Sequence, residues 1–167
     1  DRLIASITSQ FAYRDVSGDI VVVGIDDRTL AASRGGEFSR RDHAALIGAI
    51  DRAHAKRLFI DFDYQRPDNY GGLKSITAAV RAMGPRAVLA VPTRSVPGTS
   101  KTVTIFPDPS FGKQATQASI AWDYELWQVW DVPLMYETEG HLLPSFAAVL
   151  ANKRANGPGV FRIDFSY

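Results

Sequence analysis

The sequence predicts a single α/β domain, a mixed sheet with a parallel centre and helices packed on its faces. Two apolar runs carry this prediction, residues 20–25 and Leu58–Ile60, because neither shows the polar alternation of a half-exposed strand. An unbroken aliphatic run is typical of a strand buried on both faces, which is the usual environment in a parallel sheet. A helix-like segment separates the two runs. We therefore expect a strand, a crossover helix and a second strand in the same direction.

The predicted crossover helix has a recognisable start. Ser39 can cap it, and Asp42, three residues later, supplies a short version of the capping box. Four residues with the spacing of one helical face follow: His43, Ile47, Ile50 and His54. This stripe predicts the face that packs on the sheet.

The rest of the chain continues the α/β pattern. We expect one domain over residues 1–167, in which residues 1–17 form an N-terminal helix that leads from a presumed membrane span. Residues 101–136 are predicted to build a more antiparallel region that contains the three tryptophans. The other predicted elements are a helix at 73–83 stopped by Gly84-Pro85, a strand at 87–91, a helix at 145–153 and a strand at 160–167.

Composition narrows the class of protein. The 19 basic residues nearly balance the 18 acidic ones, so the charge gives no support for a nucleic-acid partner. The absence of cysteine excludes disulfides and thiolate sites. No apolar run approaches the ~20 residues that cross a bilayer, so we expect this stretch to be soluble. It starts at Asp1 and stops while still strand-like, as a segment cut from a longer protein would.

Acidic residues follow both predicted strands. Ligands of open parallel sheets bind beyond the carboxyl ends of the strands. Arg40 and His43 fall in the first turn of the crossover helix, close to the same edge. The predicted ligand-binding site therefore consists of Asp26, Asp27, Arg40, His43, Asp61 and Asp63, roofed by the loop 65–72. A structural ion-pair network among these residues is the alternative interpretation.

Two enzyme-like patterns compete for the same carboxylates. Asp61-x-Asp63 after a strand resembles the nucleophile motif of haloacid-dehalogenase-like phosphatases, although Tyr64-Gln65 stands where that family has Gly-Thr. Asp26-Asp27 with Asp61 resembles a response-regulator receiver domain, but the spacing leaves no room for the extra strand and helix of that fold. The three histidines lack the spacing of a zinc site. We expect no catalytic activity, no metal and no cofactor.

Six stretches of the chain carry a likeness to a known family. They are residues 21–30, Arg40-x-x-His43-Ala44-x-Leu46-Ile47, residues 59–63 with Pro67, residues 130–133, Leu143-Pro144-Ser145-Phe146-Ala147 and residues 161–165. Together they resemble the CHASE2 family of sensor domains. The departures are Gly36-Glu37-Phe38-Ser39, where the family usually has Trp-Pro-Trp-Pro, and Lys74, where an acidic residue is common.

The resemblance implies a periplasmic or extracellular ligand-sensing domain of a membrane receptor. Its partners would be a small-molecule or periplasmic signal, its own transmembrane helices and a cytoplasmic output domain, such as a nucleotide or cyclic-di-GMP cyclase or phosphodiesterase, or a kinase. Two alternatives stay open. One is a metal-dependent phosphohydrolase-like enzyme that uses Asp61 and Asp63. The other is a structural module that forms a homodimer, with Leu3, Ile7 and Phe11 as its seam.

Overall fold

A three-stranded parallel sheet organises the domain. The computed structural model describes residues 19–33, 36–62, 64, 71–121, 131–153 and 159–162. The sheet consists of β1 (Leu58–Ile60), β2 (Ala87–Val91) and β5 (Thr116–Ser119), with β2 in the middle and paired in parallel to both neighbours. All five residues of β2 are buried. The predicted fold class, a mixed α/β domain with a parallel centre, is confirmed.

Helices cover both faces of this sheet. The described helices are α1 (Asp27–Ala32), α2 (Arg40–Arg52), α3 (Leu73–Met83) and α4 (Phe146–Leu150), with 3₁₀ turns at Gly84–Arg86 and Pro109–Gln114. α2 and α3 pack against each other and contribute to one core with Ile60 and Leu89. On the opposite face Phe59 meets Phe146 of α4, with 4.8 Å between ring centroids. Successive side chains of β1 therefore point to opposite faces of the sheet and pack against different helices.

The core is mostly aliphatic, with Tyr64 and Phe111 as its aromatic members. Ile76 is fully buried, and Val80, Met83 and Leu89 are at most 2% exposed. The spacing of Ile76, Val80 and Met83 places them on one face of α3, as the sequence predicts. The predicted bounds of α3 and β2 are confirmed to the residue.

Antiparallel pairs make up the remaining strands. β3 (Thr93–Ser95) pairs with β4 (Thr102–Thr104), β6 (Asp131–Pro133) with β9 (Val160–Arg162), and β7 (Met135–Thr138) with β8 (His141–Pro144). The predicted antiparallel region is thus present but extends beyond 101–136. One part of that prediction is wrong, because β5 is parallel to β2. β3, with the polar sequence Thr-Arg-Ser, is exposed along its whole length.

The prediction of a buried strand at residues 20–25 is wrong in this structure. Residues 20–25 lie outside any helix or strand, and Val21 and Val22 are 80% and 89% exposed. The parallel neighbour of β1 is instead β2, reached through α3. An aliphatic run fits any buried strand position, but the run itself does not specify a partner strand.

Three other predictions fall outside the described residues. They are the N-terminal helix at 1–17, the tryptophan segment at 122–130 and the loop 65–70 that forms most of the predicted roof. Of the helix predicted at 145–153 the structure shows Phe146–Leu150, and of the final strand Val160–Arg162.

Candidate functional site

The start of α2 lies against the carboxyl end of β1. Ser39 caps the helix: its hydroxyl oxygen accepts the backbone N–H of Asp42 at 3.3 Å, and its own backbone N–H donates to Asp42 Oδ2 at 2.9 Å. The hydroxyl also donates to Asp42 Oδ2 at 2.7 Å. The side-chain hydrogen bond from Ser39 lowers the pKa of Asp42. The predicted capping box is therefore confirmed. It fixes the first turn of the helix, where Arg40 and His43 lie.

Arg40 and His43 both contact Tyr64, which follows β1. An Nη2 hydrogen of Arg40 is donated to the backbone carbonyl of Tyr64 at 2.8 Å. The Nδ1 atom of His43 lies 2.9 Å from the Tyr64 hydroxyl. These two contacts join the crossover helix to the strand end, and they bring together two of the predicted site residues.

His43 is the most unusual polar residue of this cluster. It is 4% exposed, and Phe38, Phe62 and Tyr64 surround its ring with centroids at 4.7, 4.1 and 5.5 Å. Its Nε2 atom finds no hydrogen-bond partner among the described residues. In either neutral tautomer one ring nitrogen bonds Tyr64 and the other is left unsatisfied. A buried polar atom without a partner costs about 1–3 kcal/mol, so its presence needs an explanation.

Burial also sets the protonation states of the pair. Burial lowers the pKa of His43 to about 4, against a smaller opposing effect of Asp42. Burial raises the pKa of Tyr64 well above its ordinary value, although the nearby Arg40 charge acts the other way. The cluster therefore holds a neutral imidazole and a neutral phenol at neutral pH, with Arg40 as its cation.

A very small cavity opens beside this cluster. Its volume is about 10 Å³, close to the minimum for one water molecule. The ring of Phe62, which packs edge-on against His43, is 43% exposed and forms part of the wall. A ligand larger than water would have to displace a side chain here. The lining residues are Phe62, Tyr64, Ala90, Pro92, Ile105, Phe106 and Pro107.

Three of the predicted acidic residues, Asp26, Asp27 and Asp61, are described by the structure. Asp26 is the N-cap of α1, and its carboxylate accepts from the N–H and the hydroxyl of Thr29 at 2.9 and 2.8 Å. The Thr29 backbone hydrogen bond is the main cause of the lowered pKa of Asp26. Asp27 and Asp61 are exposed, and Asp63 lies outside the described residues. The structure thus brings Arg40 and His43 to Tyr64, and it describes Asp26, Asp27 and Asp61 as exposed residues.

Asp108 is a carboxylate near the cluster that the sequence did not single out. It caps the 3₁₀ turn at Pro109–Gln114 and accepts from the Ser110 N–H at 2.8 Å. Hydrogen bonds from Ser110 are the main cause of its lowered pKa, and the charge of Arg40 adds to the effect. Arg40 therefore lies within the electrostatic reach of both Tyr64 and Asp108.

Tyr64 and Phe62 were also missed as site residues. The alternation of a strand offered a signal, because Ile60, Phe62 and Tyr64 fall on one side of an extended chain. Ile60 faces the core that α2 shares, so the two aromatic residues were placed to meet that helix. The short length of β1 made the continuation of this alternation hard to foresee.

The described ranges contain neither a metal-binding cluster nor a membrane-spanning helix. No group of three or more His, Cys, Asp or Glu residues could hold a metal ion there. No helix in the same residues is both long and apolar enough to cross a membrane.

The domain is a parallel α/β fold with a polar cluster at the carboxyl end of a strand, which is the edge where ligands of open parallel sheets bind. A model of the CHASE2 domain family matches residues 1–160, and the chain belongs to that family. CHASE2 domains are extracytoplasmic sensor domains and are generally not catalytic. Neither a search of curated proteins nor one of solved structures found a match.

Proposed function

We propose that this domain binds an extracytoplasmic signal at the carboxyl end of β1 and transmits it to transmembrane helices and a cytoplasmic output domain. The output would be a nucleotide or cyclic-di-GMP cyclase or phosphodiesterase, or a kinase. Membership of a sensor family supports the general role. The observation that carries the location is the buried His43, whose Nε2 atom has no partner among the described residues.

The arrangement around His43 supports a site that opens when it binds. The cavity of about 10 Å³ is too small for a signal molecule, whereas Phe62 is half-exposed and covers the histidine ring. Movement of Phe62 would give a ligand access to Nε2 and would satisfy that atom. A ligand that fits only the opened form shifts the domain towards it, which is the requirement for a signal.

The wider ligand-binding site remains the predicted set. Arg40 and His43 form its inner part, since both contact Tyr64. In this proposal Asp26, Asp27, Asp61 and Asp63 would contribute its outer, acidic part. Arg40 would bind a negative or carbonyl-like group of the ligand, and the carboxylates would bind its donors. No cofactor and no catalytic step are part of this proposal.

Single substitutions in the intact membrane receptor test the proposal. Arg40→Ala and Asp61→Ala should each reduce the change in output activity that the signal produces, while the melting temperature shows that the domain is folded. Two matched controls change exposed residues far from the cluster in sequence. They are Arg81→Ala, which removes a side chain bonded to Gln114, and Glu137→Ala on β7. An unaltered response in both test variants, with folding intact, would refute the assigned site.

A further inference from the structure

Basic side chains gather at the amino ends of β1 and β2. Arg57 precedes β1, Arg86 precedes β2, and the pairing of Leu58 with Ala87 places the two arginines at the starts of neighbouring strands. Strands of one sheet lie about 4.8 Å apart, so the two residues are neighbours in space. Three further cations come from the ends of the adjoining helices. We call the whole set the basic edge: Arg52, Lys56, Arg57, Arg86 and Lys153.

Arg57 connects the basic edge to the end of α4. Its Nη1 atom donates to the Val149 carbonyl at 2.7 Å, and its Nη2 atom donates to Asn152 Oδ1 at 2.9 Å. Lys153 follows Asn152 directly and is exposed. The contacts of Arg57 therefore bring a lysine from a distant part of the sequence to the amino end of β1.

Arg86 connects the same edge to the end of α2. It donates to the carbonyl of Ala55 at 3.1 Å and forms a 2.6 Å ion pair with Asp51, while its side chain stays 39% exposed. Lys56 follows Ala55 and is exposed, as is Arg52, the last residue of α2. The segment between α2 and β1 is therefore held against the start of β2 with its cations exposed.

The charge at this edge is mostly of one sign. The whole chain is nearly neutral, with 19 basic and 18 acidic residues. By contrast, the segments that form the basic edge, residues 51–58, 84–87 and 149–153, hold five cations and one carboxylate, Asp51. The carboxyl end of the sheet carries both signs, because Arg40 lies there with Asp61 and Asp108. Positive charge is thus concentrated at the amino end.

The layout of these cations fits an extended anionic surface better than a small anion. Arg57 and Arg86 donate to protein oxygens, and the five cations come from three separate segments. The described cavity lies at the other end of the sheet, where Tyr64 and Pro92 line it. A small ligand binds in a concavity on which a few polar groups converge. A phospholipid surface presents many charges over a wide area, and each Lys or Arg near it strengthens binding about fivefold.

We propose that the basic edge docks on the surface of an anionic phospholipid membrane. The strands then run away from the bilayer, so the candidate site at the carboxyl end of β1 opens to the extracytoplasmic space from which a signal arrives. The inference rests on the membrane attachment in the proposed function and adds an orientation to it. Attachment keeps the edge close to the lipid, so several individually weak charge interactions are enough for contact.

Co-sedimentation of the 167-residue chain with lipid vesicles tests the docking. The chain should sediment with vesicles of equal parts phosphatidylglycerol and phosphatidylcholine, and should stay in solution with vesicles of phosphatidylcholine alone. Raising the ionic strength from about 0.1 M to about 1 M should release it, because the screening length falls from about 10 Å to about 3 Å.

Two double variants with the same change of net charge locate the contact. Lys56→Glu with Lys153→Glu should weaken vesicle binding by at least about 25-fold, because two cations are lost from the edge. The matched control is Lys74→Glu with Lys101→Glu, which changes exposed lysines in the first turn of α3 and beside β4. It should bind almost as the wild type does. Lys56→Gln with Lys153→Gln should give a smaller loss than the charge reversal, and melting temperatures show that each variant is folded.

Three outcomes would overturn the proposal. In the first, the chain does not distinguish the two kinds of vesicle. In the second, both Lys→Glu double variants lose binding equally, which would indicate a general effect of net charge. In the third, inorganic phosphate abolishes binding while sodium chloride of the same ionic strength does not, which would indicate a pocket for a small anion.

The receptor variants Arg40→Ala and Asp61→Ala are measured separately and involve no vesicles. A lost response in those variants together with a chain that ignores the vesicles would remove only the docking. Vesicle binding together with unaltered receptor responses would remove only the candidate site.

Discussion

The Nδ1 atom of His43 lies 2.9 Å from the hydroxyl of Tyr64, and both residues are 4% exposed. This hydrogen bond joins the second helix of the domain to the end of its first strand. It is buried among aromatic rings, in a place where a charged imidazole would be poorly solvated. The stability of the contact between α2 and the chain that follows β1 should therefore depend on pH and on substitution of either residue.

The stability of the domain should decrease as the pH falls from about 6.5 to about 4. The folded pKa of His43 is about 4, below its ordinary value of 6.5, so the unfolded chain binds a proton first. The contribution of neutral His43 is fully present above pH 6.5 and is lost progressively down to pH 4. A shift of this size corresponds to a loss on the order of 3 kcal/mol of unfolding free energy. Urea unfolding across this pH range measures it.

Two variants separate His43 from other titrating groups. His43→Asn keeps a polar partner for Tyr64 but does not titrate, so its stability should depend much less on pH in this range. His54→Asn changes an exposed histidine and should keep the pH dependence of the wild type. The carboxyl groups of Asp26, Asp42 and Asp108 have lowered pKa values. Their contribution to the stability of the domain is lost only at more acidic pH, below the ordinary pKa of 3.8. An equal pH slope in His43→Asn and the wild type would contradict this explanation.

A double-mutant cycle should show that His43 and Tyr64 act as a unit. Tyr64→Phe removes the hydroxyl and leaves both ring nitrogens of His43 without a partner among the described residues, which should destabilise the domain by about 1–3 kcal/mol. In His43→Phe the Tyr64 hydroxyl is the buried group left unpaired. The double variant removes both groups, so its loss of stability should be smaller than the sum of the two single losses. Additive losses would show that the hydrogen bond contributes nothing.

The capping box of α2 gives a prediction that concerns the helix start alone. Ser39→Ala removes the hydroxyl that bonds Asp42 and should lower the unfolding free energy by about 1 kcal/mol. The pKa of Asp42 should rise towards its ordinary value, because the Ser39 side-chain hydrogen bond is the main cause of its lowering and is lost. NMR titration of the Asp42 carboxyl measures this. Ser75→Ala, an exposed serine within α3, is the control and should not destabilise the domain.

The elements that the sequence predicted best carry their own start and stop signals. α2 begins at the Ser39 cap, α3 ends at Gly84-Pro85, and β2 is an aliphatic run bounded by Pro92. In each case local hydrogen bonding or backbone restriction determines the boundary. Such signals are present in the order of residues and do not depend on the rest of the fold.

The predictions that failed concern which strands pair with each other. β5 reads Thr-Gln-Ala-Ser, a sequence with nothing that specifies a parallel rather than an antiparallel neighbour. Residues 20–25 are as apolar as β2, yet they are exposed, because apolar character alone does not supply an edge to pair with. Strand pairing is a long-range property, and no local pattern determines it.

The candidate site follows the same division: residues with a local sequence signal were predicted, and residues placed by long-range packing were not. Arg40 and His43 followed from the first turn of a capped crossover helix, and the structure brings them to one strand end. Tyr64 was missed because its contact with His43 depends on how the helix packs on the sheet. The acidic rim depends on where residues 20–25 lie, and that position is not fixed by their sequence.

Addition of divalent cations to the purified domain should leave its melting temperature unchanged. Any ion that binds the folded state must stabilise it by mass action, so the absence of a shift indicates the absence of a site. Thermal unfolding with magnesium, manganese or calcium at millimolar concentration measures this. The phosphohydrolase alternative requires the opposite result: a rise for one ion that disappears in Asp61→Asn and in Asp63→Asn. Glu137→Gln, which changes an exposed carboxylate on β7, would keep such a rise and so distinguishes a specific site from general charge screening.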